Sequence, residues 1–157
     1  MRTMHEWFEL YGASHRNPVN EAVHWVCVPL IVYSLIGLLS LIPVAALVPA
    51  GTAAWLHAGT LLLLLGLVFF VLLSLPITAG MLAFSAVILA LVAWTNGAWG
   101  DRAWALYTAV FVGAWIGQFI GHKVEGAKPS FFDDVQFLLI GPAWLLSLAY
   151  RKFGIRF

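Results

Sequence analysis

The sequence predicts an all-α integral membrane protein: a four-helix transmembrane bundle with an N-terminal amphipathic helix and a C-terminal interfacial or re-entrant broken helix. Three observations lead there. The chain is 62% hydrophobic and only 10% charged, whereas soluble domains carry about 25% charged residues; its mean hydropathy is +0.94. Four apolar stretches, about 23–42, 55–75, 77–94 and 103–121, are each close to the roughly 20 residues that cross a bilayer core. The links between them are short, which makes successive helices antiparallel neighbours. The 157 residues are read as a single domain, 1–157.

Each element has its own local warrant. Residues 1–17 form a polar lead-in in which Met4, Trp7, Phe8 and Tyr11 recur at helical spacing. That pattern predicts a short amphipathic helix, either lying on the membrane surface or packed as a cap on the bundle. Asn17-Pro18 reads as an N-cap followed by a first helical residue. The first span enters the bilayer near Val23, and Pro29 is a possible kink. Pro43 and Pro49-Ala50-Gly51 mark a loop, Pro76 a tight turn, and Thr95-Asn96-Gly97 a further turn. In the tail, Ser130 with Asp133 resembles a capping pair. Apolar runs at 135–140 and 143–150 are divided by Gly141-Pro142 and are together short for a span. Residues 131–150 are therefore expected to be interfacial or re-entrant.

Charge orients the bundle. Four spans put both termini on one side, together with Arg2, Arg16, Lys123, Lys128, Arg151, Lys152 and Arg156, seven of the eight basic residues. The positive-inside rule makes that side cytoplasmic; a fifth span would carry the last three outside. The expected location is a multi-pass position in a bacterial inner membrane, or in the endoplasmic reticulum of a eukaryote. Met1–Tyr11 reads as amphipathic rather than as a signal peptide. A net charge of +1 without a basic stripe gives no ground for nucleic-acid binding. The single cysteine, Cys27, excludes an internal disulfide and a Cys-based zinc site. Eight tryptophans suit a small protein with much surface at two membrane interfaces.

This topology gathers polar residues at the cytoplasmic end. The first span begins with Asn20, Glu21 and His24, and Asn20 and His24 share a helical face. His15 lies just before that helix and can fold back onto it. The fourth span ends with Gln118, His122 and Glu125, also on one face. Ionisable groups at membrane depth are costly and are functional candidates by default. Neutral imidazoles with a carboxylate suit a first-row metal such as iron or zinc. Asn20, Glu21 and Gln118 suit the orienting of ligand rings. Each histidine alone would more often be a boundary residue bonded to a carbonyl; their joint placement favours a metal site. Glu125 is either a ligand or an ion-pair partner of Lys123, Lys128 or Arg16. His57 starts the second span and belongs at the opposite face; His5 lies in the surface helix. Gly113, Gly117 and Gly121 form a stripe that lets another helix approach closely.

Two signatures resemble a known family. The first is Tyr11-x-x-x-His15-x-Asn17-x-x-Asn20-x-x-x-His24, followed by Pro29. The second is Gln118-x-x-Gly121-His122-x-x-x-Gly126-x-x-Pro129, with Glu125 inside it and Gly141-Pro142 beyond. They resemble the 2-hydroxy fatty acid dioxygenases, small multi-span proteins best known from fungal endoplasmic reticulum. The resemblance covers nearly the whole chain; Ser130 departs from it, standing where alanine is expected. It implies Fe(2+)-dependent α-oxidation, in which a 2-hydroxy long-chain fatty acid and O2 give a fatty acid one carbon shorter and CO2, as in phytosphingosine breakdown. It also implies iron ligation by His15, His24 and His122, with Glu125 at a matching position. Membrane lipid is the expected surrounding.

Other classes compete. His24 and His122 on facing helices suit a bis-histidine haem of an electron-transfer protein. A di-iron desaturase uses more histidines than the five present. A coupled transporter places charge near the midplane, and the span interiors carry none. A non-enzymatic small membrane protein is the remaining alternative.

Overall fold

The computed structural model describes residues 2–42, 55–126 and 137–157. Among them the secondary structure is all helical: α1 (Met4–Gly12), α2 (Pro18–Ser40), α3 (Ala58–Val71), α4 (Leu75–Trp99), a 3-10 turn (Gly100–Arg102), α5 (Ala103–Glu125) and α6 (Ile140–Lys152). The loop signals at Pro43 and Pro49-Ala50-Gly51, the Ser130/Asp133 capping pair and Lys128 lie outside the described residues.

Helix starts follow local chemistry. Thr3 and Glu6 form a reciprocal capping box on α1. Asn17 caps α2, its Oδ1 accepting from Val19 N at 2.9 Å, and Pro18 fills the first turn, where its missing N–H costs nothing. Ser74 caps α4. Gly126 ends α5 in the left-handed conformation (φ 76°), so the helix stops directly after Glu125.

α2 is the central element. It packs most extensively on α5 and also meets α3, α4 and α6. Cys27 and Ile31 meet Ala114 and Trp115 of α5, while Val32 and Ile36 meet Ile88 and Val92 of α4. The α2–α5 approach is close because a Cβ on Gly117 would lie 2.6 Å from Cys27 Sγ, and one on Gly121 would lie 2.5 Å from Asn20 Oδ1. Gly113, the third glycine of the stripe, faces open space. α4 and α5 touch little despite the three-residue turn between them, so a short link does not here produce a tightly paired hairpin. α1 is a cap: its buried Met4, Phe8 and Tyr11 share a core with Trp144 and Leu145 of α6 and Phe70 of α3.

Two readings from local signals change. α4 does not turn at Thr95-Asn96-Gly97 but runs on to Trp99, breaking at Gly100 (φ 50°). Distant partners satisfy the turn-forming side chains there. Thr95 Oγ1 bonds the Tyr33 hydroxyl at 2.6 Å, Asn96 Nδ2 donates to Ser40 Oγ at 3.0 Å, and the Tyr107 hydroxyl donates to Asn96 Oδ1 at 2.9 Å. The second change concerns Gly141-Pro142, which lies in the first turn of α6 rather than ahead of it, while 131–136, the first part of the expected broken helix, lie outside the described residues. Pro142 sits in the first turn, where its lack of an N–H is tolerated, and α6 is continuous to Lys152.

Two helical stretches are long and apolar enough to cross a membrane by length and composition, Pro18–Ser40 and Leu75–Glu125, the latter containing the Gly100–Arg102 turn. α3 is apolar but has 14 residues, about 21 Å of helix. Leu65, Leu72, Leu75, Leu82, Val87 and Trp94 are exposed along these helices.

Candidate metal centre

Three elements each deliver one histidine to the same point. His15 follows α1 in the loop before α2, its backbone N–H closing a turn on Gly12 O at 3.1 Å. His24 stands in the second turn of α2, and His122 in the last turn of α5. All three are buried, and one ring nitrogen from each lies within 4.8 Å of the others. Ring centroids are 4.2 Å apart for His15–His24, 5.2 Å for His15–His122 and 5.1 Å for His24–His122.

The hydrogen bonds fix what two of these rings offer. His15 Nδ1 lies 2.5 Å from Tyr11 O, and His24 Nδ1 lies 2.9 Å from Asn20 O. A carbonyl oxygen only accepts, so each Nδ1 carries the proton. Each Nε2 is then a bare lone pair, and the two Nε2 atoms face each other at 2.8 Å. Burial pulls the His15 imidazole down to about 4, which keeps it neutral near pH 7. Two neutral acceptors pointed at one another repel unless a cation sits between or beside them. Backbone carbonyls that hold the far nitrogen and aim the near one are the usual support of a metal-ligating histidine.

The surroundings hold the rings still. Tyr11 stacks on His15 with centroids 4.2 Å apart and planes 8° apart, and Trp144 tilts against His15 at 5.3 Å. Tyr11 heads the first signature without a role at the site there, and Trp144 carries no sequence signal. Glu125 does not join the histidine cluster. Its Oε1 accepts from Arg16 N at 2.9 Å, and its Oε2 accepts from Asn17 N at 2.8 Å and Asn20 Nδ2 at 3.1 Å. The carboxylate thus ties the end of α5, which carries His122, to the loop that carries His15. Asn20 adds a bond from Nδ2 to Ser14 O at 3.3 Å, while its own carbonyl holds His24.

Gln118 is buried on α5, one turn before His122. Glu21 stays apart, half-buried in the first turn of α2. His57 caps α3, its Nδ1 accepting from Thr60 N at 3.2 Å, beside Gly59 and Ile36 at the other end of α2. His5 pairs with Glu9 on the exposed face of α1.

One cavity opens on the centre, and two further spaces lie between the helices around it. A cavity of about 20 Å³ is lined by Tyr11, His24, Gln118 and His122 with Val28, Ile31, Trp115 and Leu138. An open cleft of about 490 Å³ between α1 and α6 holds Arg16 and Arg151 and has Trp144 in its wall. An apolar groove of about 150 Å³ runs among α2, α4 and α6, past Trp25, Pro29, Met81, Phe84 and Leu145.

Fold and site together define a class: a strongly apolar, all-helical protein with a buried three-histidine centre suited to a first-row metal ion. The chain belongs to the Mpo1-like family, described as 2-hydroxy-palmitic acid dioxygenase Mpo1-like, whose profile matches residues 1–153. That is the family the two sequence signatures resemble. No curated protein and no solved structure matches the chain. The family description implies a dioxygenase acting on a 2-hydroxy fatty acid with O2. The donor set fits the metal such chemistry uses: borderline imidazole nitrogens, few in number, with their far sides already bonded.

Proposed function

We propose that the protein is a membrane-embedded, Fe(2+)-dependent dioxygenase that shortens a 2-hydroxy long-chain fatty acid by one carbon. The ligands are His15, His24 and His122. The observation that carries this reading is the pair of Nε2 lone pairs facing at 2.8 Å, each fixed by a carbonyl behind it. Iron bound there supplies the redox chemistry, in which the four electrons released by oxidising C1 and C2 of the substrate reduce O2, giving the shorter acid, CO2 and water. The chain's own residues do the rest. Tyr11 and Trp144 pack His15 and keep bulk water from the rings. Glu125, through Arg16 N, Asn17 N and Asn20, sets the distance between the segments bearing His15 and His122; we assign it to positioning. Arg16 and Arg151 in the α1–α6 cleft attract an anionic head group. The groove among α2, α4 and α6 offers an alkyl chain apolar walls. Pro29 and Pro142 of the groove are the chain neighbours of Val28 and Gly141 of the cavity.

The exposed apolar faces of α3 and α4 support a bilayer setting, since a soluble monomer seldom shows such a surface. In that setting four apolar helices, α2 to α5, form the membrane bundle, with α1 and α6 at the cytoplasmic face. The haem alternative fares worse: three rings with centroids 4.2 to 5.2 Å apart leave no slot for a porphyrin.

The direct test is anaerobic reconstitution with Fe(2+), then O2 and 2-hydroxyhexadecanoic acid, with product mass as the readout. The C15 acid is expected from the wild type and is lost in His122→Ala. An iron-loaded wild type that forms none would refute the reading, as would a Soret band accounting for all bound iron.

A further inference from the structure

Gln118 lines the cavity beside His24 and His122, and the proposed metal centre does not use its amide. Its side chain is buried, and its amide oxygen has no hydrogen-bond partner. A buried acceptor without a donor is a standing cost, and proteins keep few of them. The oxygen belongs to a residue lining the cavity of about 20 Å³ beside His24 and His122. That volume takes one water-sized group. The other walls, Val28, Ile31 and Trp115 among them, are largely apolar.

We infer that Gln118 is the specificity-determining residue for the substrate's 2-hydroxyl, accepting its proton in a hydrogen bond inside this cavity. The inference rests on the 2-hydroxy acid reading and deepens it. Between the substrate and O2, only the hydroxyl offers a proton that an amide oxygen can accept. An ionised carboxylate has no proton to give to an amide oxygen, O2 has none, and the alkyl chain is apolar. The hydroxyl is also the group whose size matches the cavity. Helical geometry puts Gln118 one turn from His122 on the same face of α5, so a hydroxyl held there stands next to the histidine centre. A fatty acid without the hydroxyl leaves the amide oxygen buried and unpaired. Sites built this way reject the analogue that lacks the group.

The test is binding rather than turnover. Iron-loaded protein in nanodiscs is titrated anaerobically with 2-hydroxyhexadecanoic acid and with hexadecanoic acid. Wild type is expected to prefer the hydroxy acid. Gln118→Met, similar in length but without the acceptor, should weaken the hydroxy acid by about 10-fold and leave hexadecanoic acid within about 2-fold. Equal weakening of both acids would mark Gln118 as merely structural and overturn the inference, as would an unchanged preference. If Gln118→Met does not fold, Gln118→Asn, which withdraws the carbonyl by one methylene, is read against the same criteria. The two ideas fail separately: a hydroxyl preference lost in the variant, with no C15 acid from wild type under O2, keeps the Gln118 assignment and removes the dioxygenase.

Discussion

His15 and His24 each commit an Nδ1 proton to a backbone carbonyl, and the cost of that commitment falls on the metal-free protein. Their facing Nε2 atoms repel at 2.8 Å, so a cation relieves strain as well as gaining ligands. A metal bound only by the folded state stabilises it by about 2.7 kcal/mol at a hundredfold excess over Kd. For a chain of this size that is a rise in Tm of about 5–10 °C. The expected result in differential scanning fluorimetry is such a rise with Fe(2+) under anaerobic conditions, reversed by chelator. His15→Ala should abolish it. Glu125→Gln should reduce metal affinity about 10- to 100-fold, the range for groups that hold a ligand in place, while a Co(2+)-substituted sample keeps an unchanged ligand-field spectrum. A changed spectrum would put the Glu125 carboxylate on the metal instead. The histidines were legible as a group because helical spacing and chain direction place them at one end. The role of Glu125 was not, because its partners are the N–H groups of Arg16 and Asn17, and backbone donors have no letter in a sequence.

At the scale of elements, the joint that matters is α2 against α5. The glycine stripe reads from sequence as three equivalent positions, yet packing distinguishes them. A methyl at Gly121 would press on Asn20 Oδ1 at 2.5 Å and Val23 Cγ1 at 3.3 Å, whereas one at Gly113 meets nothing. Gly121→Ala must displace Asn20, which holds Ser14, Glu125 and His24 together. Overpacking of this kind costs about 1–3 kcal/mol, and here it should also lower iron occupancy. Gly113→Ala should be neutral or stabilising by up to about 1 kcal/mol, from helix propensity alone. Thermal unfolding in detergent with iron content measured alongside separates the two. Equal effects would mean that the stripe is not an α2–α5 contact. The same joint explains why α4 outran its turn signal. Thr95 and Asn96 are turn formers locally, but Tyr33 and Ser40 of α2, far away in sequence, and Tyr107 of α5 supply the bonds a turn would have supplied. By contrast, the start of α2 at Asn17-Pro18 was readable because cap and proline act within one turn.

The whole molecule has two unlike ends. One carries the histidines, the Glu125 clamp and the α1–α6 cap, with Arg2, Arg16, Lys123, Arg151 and Lys152 near it in the chain. The other carries His57, the Tyr33–Tyr107 polar network and the exposed tryptophans Trp94, Trp99 and Trp104 around the α4–α5 turn. In the proposed bilayer setting, the positive-inside rule would put the cationic end inside. α6 carries Arg151 and Lys152 in its last turn, and Phe157 beyond it packs on Phe8 of α1, which keeps this end of the chain beside the cap. Impermeant maleimide labelling in bacterial cells tests this, in a Cys27→Ser background that removes the single native thiol. Asp101→Cys, in the turn between α4 and α5, should react in intact cells. Phe157→Cys should react only after permeabilisation. The reverse pattern would invert the protein and place the iron site outside. Labelling of both in intact cells would make α6 a fifth span, with the carboxyl terminus separated from α1 by the bilayer, a result the Phe8–Phe157 contact does not allow.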